Sequence, residues 1–153
     1  MLPPPELPLY QIVYLSTANQ PFSCDELGQL LLRARSYNEQ HQLTGVLLYN
    51  DNEFLQVLEG RRPELDHVFE RIANDPRHGR LRVLANGPLE RPVFPDWRMG
   101  FVGECADFFG EIQEHIYQSN ANLLSTVAPG AVPALLALLA DFAQGPYADS
   151  MPV

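Results

Sequence analysis

Hydrophobic positions along the chain follow two periods, and the switches between them mark the elements. Residues 9–16, LYQIVYLS, are rich in aromatic and β-branched side chains and read as a strand, with Tyr10, Ile12, Tyr14 and Ser16 on one face. From Ser23 the period becomes helical. Leu27, Leu30, Leu31 and Ala34 share a stripe, and Ser23 followed by Glu26 forms a capping box. One turn beyond Ala34 the same stripe reaches Asn38. Residues 43–60, LTGVLLYNDNEFLQVLEG, are two apolar runs across the polar turn Asn50-Asp51-Asn52, which predicts a β-hairpin. Pro63 suits a first helical turn, Glu64 and Asp66 suit the positive end of the helix dipole, and Leu65, Val68, Phe69 and Ile72 give the second amphipathic helix. Asn74-Asp75-Pro76 stops it, and strands are expected at 81–85 and 99–102, separated by proline-rich turns and Trp97.

The order strand, helix, strand, strand, helix, strand, strand predicts an α+β ferredoxin-like sandwich, βαββαββ, with both helices on one sheet face. The other face then needs a cover. Residues 107–120 and 132–142 have helical spacing, are parted by Pro129-Gly130, and are expected to pack there. The second is apolar nearly all round, so it is either deeply buried or half of a homo-oligomer contact. Residues 1–8 read as a proline-rich, disordered leader, 9–102 as one domain, and 103–153 as a helical extension.

Three polar side chains fall on faces that are otherwise apolar. Gln56 shares its side of the second hairpin strand with Phe54 and Leu58, Asn38 lies on the core stripe of its helix, and Tyr14 lies beside Ile12. A buried polar group left unpaired costs about 1 to 3 kcal/mol. Either the protein supplies the partner, through backbone, hydroxyl or helix cap, or a bound ligand does. From the residues alone, such a ligand could be a planar aromatic bound between the two helices. The loop Asp75-Pro76-Arg77-His78 adds a carboxylate, a guanidinium and an imidazole.

Composition narrows the classes. At 153 residues the chain suits one domain, and its net charge of -9 disfavours nucleic acid as a partner. All ten basic residues are arginines between Arg33 and Arg98, so only the middle of the chain could hold an anionic ligand. No apolar run is long enough to span a membrane, and the start lacks the features of a signal peptide, which predicts a cytoplasmic protein. Cys24 and Cys105 are too few for a disulfide framework or zinc site and read as reduced thiols. His41, His67, His78 and His115 have no metal-ligand spacing, so no metal site is expected, and there is neither a glycine-rich phosphate loop nor a nucleophile elbow.

Taken together and in order, LYQIVYLSTA, Ala34-Arg35 with Asn38, LTGVLLYNDNEFLQVLEG, IANDPRH and Trp97 to Phe101 (WRMGF) resemble the BLUF domain, a sensor of blue light using FAD. The resemblance spans residues 9–102 and extends afterwards only to short, single-domain bacterial members that end in a pair of helices. It implies a non-covalent flavin, FAD, with FMN or riboflavin as substitutes, lying between the two helices. By position, Tyr14 matches the redox-active tyrosine and Gln56 the switching glutamine. Asn38 matches the asparagine at the pyrimidine edge. Arg77 and His78 match residues at that edge or flanking the ring, with Arg71 and Asp75 in the surroundings and Leu30, Phe54 and Ile72 packing on the ring. Trp97 and Met99 match the pair that carries the change outward. Tyr37 stands where relatives have a polar residue and receives no ligand role.

The resemblance implies a photosensory protein that is not an enzyme: light moves an electron and proton from Tyr14, Gln56 changes its hydrogen bonds, and a separate signalling partner reads the change. Two other classes are weighed. A flavin-dependent or acylphosphatase-like enzyme on the same sandwich lacks an arginine-bearing anion loop near the first strand, and a dimerisation domain without photoactivity would carry no flavin.

Overall fold

A computed structural model describes residues 8–94 and 98–103. Seven elements follow in order: β1 (Leu9–Ala18), α1 (Cys24–His41), β2 (Thr44–Asn50), β3 (Glu53–Arg61), α2 (Arg62–Ala73), β4 (His78–Leu89) and β5 (Gly100–Gly103). The sheet order is β4-β1-β3-β2-β5. β3 pairs antiparallel with β1 and β2, β4 antiparallel with β1, and β5 parallel with β2. This is the expected ferredoxin-like α+β arrangement, with β5 added beyond β2.

Local chemistry sets the element ends as the sequence suggested. Ser23 accepts from the Glu26 amide while the Glu26 side chain accepts from the Ser23 amide, closing the capping box of α1. At its other end Gln42 adopts φ 57° and the Leu43 amide donates to the Asn38 carbonyl. The β2–β3 turn places Asp51 and Asn52 at φ 55° and 66°, the paired left-handed residues that let a two-residue hairpin follow the strand twist.

Strand parity then divides the sheet. Ile12, Tyr14, Leu47, Tyr49, Phe54 and Leu58 join Leu27, Leu31, Leu65 and Val68 of the helices in one core. On the opposite parity Val13, Val46, Leu48, Leu55 and Val57 are at most 1% exposed, so that face is covered as well. The segments expected to cover it, 107–120 and 132–142, lie outside the described residues, as does the leader.

Two details differ from the sequence reading. β4 runs from His78, well before residue 81, and continues past residue 85 to Leu89. It pairs with β1 alone at the sheet edge, so most of its residues are exposed and no alternation advertises its length. Cys24, taken as a reduced thiol, is disulfide-bonded, and its partner lies outside the described residues.

Candidate functional site

Between the sheet and the two helices lies a cavity of about 270 Å³. Its floor is made by register. Tyr14 of β1 stands opposite Gln56 of β3, and Gln56 stands opposite Leu47 of β2, so one row crosses three strands on the helix side. The Tyr14 hydroxyl donates to Gln56 Oε1, and Gln56 Nε2 points to Met99 Sδ at 3.6 Å. Both side chains are buried. The amide therefore has a phenol on one side and a thioether, a weak acceptor, on the other.

Burial pushes the Tyr14 phenol far above its usual range, and the Asp75 carboxylate adds to the effect. It stays protonated at any ordinary pH and serves the amide as a donor. Phe69 meets its ring edge-on at 5.7 Å between centroids.

The helices supply the walls. Asn38, 2% exposed, sends Nδ2 to the Arg98 carbonyl at 2.5 Å, and the Arg98 guanidinium donates to the Leu43 carbonyl at 3.2 Å. These bonds tie the chain just before β5 to the end of α1. His78 ties β1 to α2: Nε2 lies 2.6 Å from the Ile72 carbonyl and Nδ1 lies 2.7 Å from Ser16 Oγ. A carbonyl only accepts, so Nε2 carries a proton and donates to Ile72. Arg77 closes back on Asp75, with its Nε 3.0 Å and a terminal nitrogen 2.5 Å from the carboxylate. The hydrogen bonds from Arg77 hold the Asp75 carboxyl below its usual range.

Tyr14, Leu30, Asn38, Phe54, Gln56, Arg71, Ile72, Asp75, Arg77, His78 and Met99 all line this one cavity. Trp97 lies outside the described residues. The sequence reading gave Tyr37 no role, yet it lines the cavity too, together with Phe22, Arg33, Leu47 and Val68. Among the described residues its hydroxyl is the buried side-chain polar atom with no hydrogen-bond partner. The signal was present: Arg33 and Tyr37 are one turn apart and adjoin the Leu30, Ala34, Asn38 stripe. No group of three or more metal-ligating side chains occurs among the described residues.

A slot with apolar walls, an amide at its floor, a second amide at its side and an orphaned phenol fits a planar heterocycle with a polar edge. Flavin has that shape and that distribution of acceptors. The donor set and the slot therefore fit the group.

Comparison with known proteins points the same way. The model of the family described as BLUF, sensors of blue-light using FAD, matches residues 9–100. The chain is 38% identical over 96 residues to the alpha subunit of photoactivated adenylate cyclase from Euglena gracilis, covering 61% of this chain and 9% of that one. The beta subunit from Euglena longa is 38% identical over 93 residues, 60% of this chain and 11% of that one. The chain thus spans only about a tenth of the length of these curated relatives. Among solved structures, the dark state of BlrB, a BLUF protein, is similar at 29% identity and TM-score 0.61, over 70% of this chain and 80% of that one. The photo-activated state of BlsA is similar at 26% and 0.63, over 88% and 94%. Klebsiella pneumoniae BlrP1 with FMN and cyclic diGMP is similar at 27% and 0.70, over 90% and 35%. The chain belongs to the BLUF family of blue-light sensors that use FAD.

Proposed function

We propose that this chain senses blue light through a hydrogen-bond switch centred on Gln56 and hands the change to an effector. The observation that carries the reading is the placement of Gln56 between a phenol that donates to its Oε1 and a thioether that accepts weakly from its Nε2. When bound, the flavin supplies a blue-absorbing excited state able to draw an electron from a neighbouring donor.

Tyr14 is that donor. Its hydroxyl proton already points along a hydrogen bond to Gln56 Oε1, so a proton can follow the electron without rearrangement of the chain. On return of both, the Gln56 amide settles with its donor and acceptor ends exchanged. A primary amide suits this because it presents either role from one position. In a buried pocket the exchange is felt strongly, since little solvent screens it. Asn38 holds the ligand's polar edge, Leu30, Phe54 and Ile72 pack on its faces, and Arg77, His78, Asp75 and Arg71 border it. Met99, next to Gln56 and immediately before β5, passes the change out of the pocket, and Trp97 is the second residue assigned to that relay.

In this reading residues 9–102 form the sensing unit, and the segment after it carries the output to a separate signalling partner or to a second copy of the chain. The chain itself turns over no substrate, and its setting is cytoplasmic. A coupling of about 1 to 3 kcal/mol between the two pocket states and the effector would suffice.

The test is an absorption spectrum of the purified chain before and after blue light. An oxidised-flavin spectrum that shifts slightly to the red and relaxes in the dark is expected, and Gln56→Leu and Tyr14→Phe should each abolish the shift. A normal photocycle in either variant removes the role given to that residue.

A further inference from the structure

Two phenols line the cavity, Tyr14 and Tyr37, so position alone does not choose between them as electron donors. Their surroundings are opposite. The Tyr14 hydroxyl donates to Gln56 Oε1, and the charge acting on it is the Asp75 carboxylate. Oxidation there has a proton acceptor in place and a negative neighbour to favour the positive charge that develops. Tyr37 has neither. Its hydroxyl is buried, and no group among the described residues accepts from it. The guanidinium carbon of Arg71, on α2, lies 4.6 Å from the centre of its ring. The His41 ring stacks on it at 4.1 Å and is itself paired with Glu64. Arg62, Arg77 and Arg82 are paired with Asp66, Asp75 and Glu53, whereas among the described residues no carboxylate forms a salt bridge with Arg71. A cation over an aromatic face is attracted by the neutral ring and repelled by a ring that has lost an electron.

We propose that the Arg71 guanidinium silences Tyr37 as an electron donor, leaving Tyr14 as the one cavity phenol that light oxidises. The proposal rests on the flavin reading above and adds to it what keeps the light-driven electron on a single path. The step suppressed is the passage of one electron from the Tyr37 phenol to the light-excited flavin. The phenol would be oxidised to a radical cation, the flavin reduced by one electron, and the hydroxyl proton would then have to leave. The positive charge 4.6 Å from the ring opposes the first stage. The want of a protein acceptor at the hydroxyl opposes the last.

Fluorescence lifetimes of the full chain at saturating FAD test it, read in Tyr14→Phe so that the main donor is gone. Quenching by Tyr37 is the part of the decay rate that disappears when Tyr37→Phe is added. With Arg71 in place that part should be close to nil. In Arg71→Gln it should rise at least about tenfold, a figure that discounts the repulsion at this range for solvent around an exposed guanidinium. Arg71→Lys keeps the charge and should hold the quenching down. Light-induced electron paramagnetic resonance should show a tyrosyl radical in Tyr14→Phe with Arg71→Gln, lost again with Tyr37→Phe, which a merely structural role of Arg71 would not produce. Quenching by Tyr37 at full strength with Arg71 intact overturns the proposal, and so does its continued absence in Arg71→Gln. An equal rise in Arg71→Lys and Arg71→Gln overturns it too, since charge would then not be the cause. In each of these cases the flavin reading stands. A parent chain that takes up no flavin sinks that reading and the proposal with it.

Discussion

Gly45→Ala tests whether the hairpin that carries Gln56 has the packing described. Gly45 of β2 stands opposite Leu58 of β3, and a Cβ placed on it would lie 1.9 Å from the Val57 carbonyl oxygen and 3.0 Å from its carbon. Carbon and oxygen normally approach to about 3.3 Å, so the clash is roughly 1.4 Å deep. What it meets is backbone, which cannot swing aside as a side chain does. Relief requires β2 to lift from β3. Overpacking costs about 1 to 3 kcal/mol, and two weakened ladder bonds add about 0.5 to 1.5 kcal/mol each, giving about 2 to 6 kcal/mol in all. In a chain of 153 residues each kcal/mol lowers Tm by about 2 to 4 °C, so a fall of more than about 4 °C is expected.

Circular dichroism melts of the parent and of Gly45→Ala measure it, with Gly87→Ala as the control. A Cβ at Gly87, on the edge strand β4, meets nothing within 4 Å, and its Tm should hold. The function should fail with the stability. Lifting β2 takes Leu47 away from Gln56, so the light-induced shift should be lost or distorted in Gly45→Ala even at temperatures where it stays folded. A Gly45→Ala protein that melts within about 4 °C of the parent, or equal losses in the two alanine variants, would refute the reasoning.

Three further outcomes are expected. Glu59 is buried, and burial pushes its carboxyl above the ordinary 4.5 despite donors from Phe94, Val93, Gln11 and Thr44. Its stabilising contribution is thus complete below the unfolded value and is lost as pH rises through the folded one. Urea midpoints across that range should fall less steeply in Glu59→Gln than in the parent, and equal slopes would count against it. Asn38→Ala removes the donor to the Arg98 carbonyl, which should cost about 1 to 3 kcal/mol and displace Met99. A urea midpoint and a flavin spectrum both unchanged would rule this out. His78→Ala breaks the bridge between Ser16 and Ile72 and should cost a similar amount, read by the same urea titration, with no loss expected if the bridge is idle.

What was legible in the sequence is what depends on period and parity. Tyr14 and Gln56 could each be placed on the apolar side of its own strand because a strand alternates strictly, and Asn38 on the core stripe because Leu27, Leu31 and Ala34 fix its phase; that Tyr14 and Gln56 stand opposite one another comes from the register. The capping box and the Asn50-Asp51-Asn52 turn are local chemistry and appeared where they were read. What failed to show depends on distant partners. Glu59 lies on the face opposite Gln56 at 1% exposure, and the amides that satisfy it come from Val93 and Phe94, beyond a helix and a strand. Nothing next to it in the chain marks it as buried. Tyr37 received no ligand role because it departs from the family pattern, and its setting, made by Arg71 on another helix and by His41, whose ring stacks on it at 4.1 Å, is not visible in the sequence. β4 was shortened because an exposed edge strand has no buried partner face to impose a rhythm.

These distant contacts bear on how a change at Gln56 could leave the pocket. Before β5 the chain is held on both sides of the sheet. Glu59 takes the Val93 and Phe94 amides on the face away from the helices, at 2.9 Å each, and Asn38 takes the Arg98 carbonyl on the pocket side. Met99 follows directly, against Gln56. A segment free at one end would absorb a new hydrogen bond by drifting. With Val93 and Phe94 held by Glu59 and Arg98 held by Asn38, we expect an amide reversal that repels or releases the Met99 thioether to be taken up downstream, in β5 and its parallel pairing with β2. If that is the route, loosening the far-side tether should decouple the steps: Glu59→Ala, under conditions where it remains folded, should keep the red shift, which we assign to Gln56, yet lose any light-dependent change in protease cleavage after Gly103. A cleavage change that survives in Glu59→Ala would place the output path elsewhere.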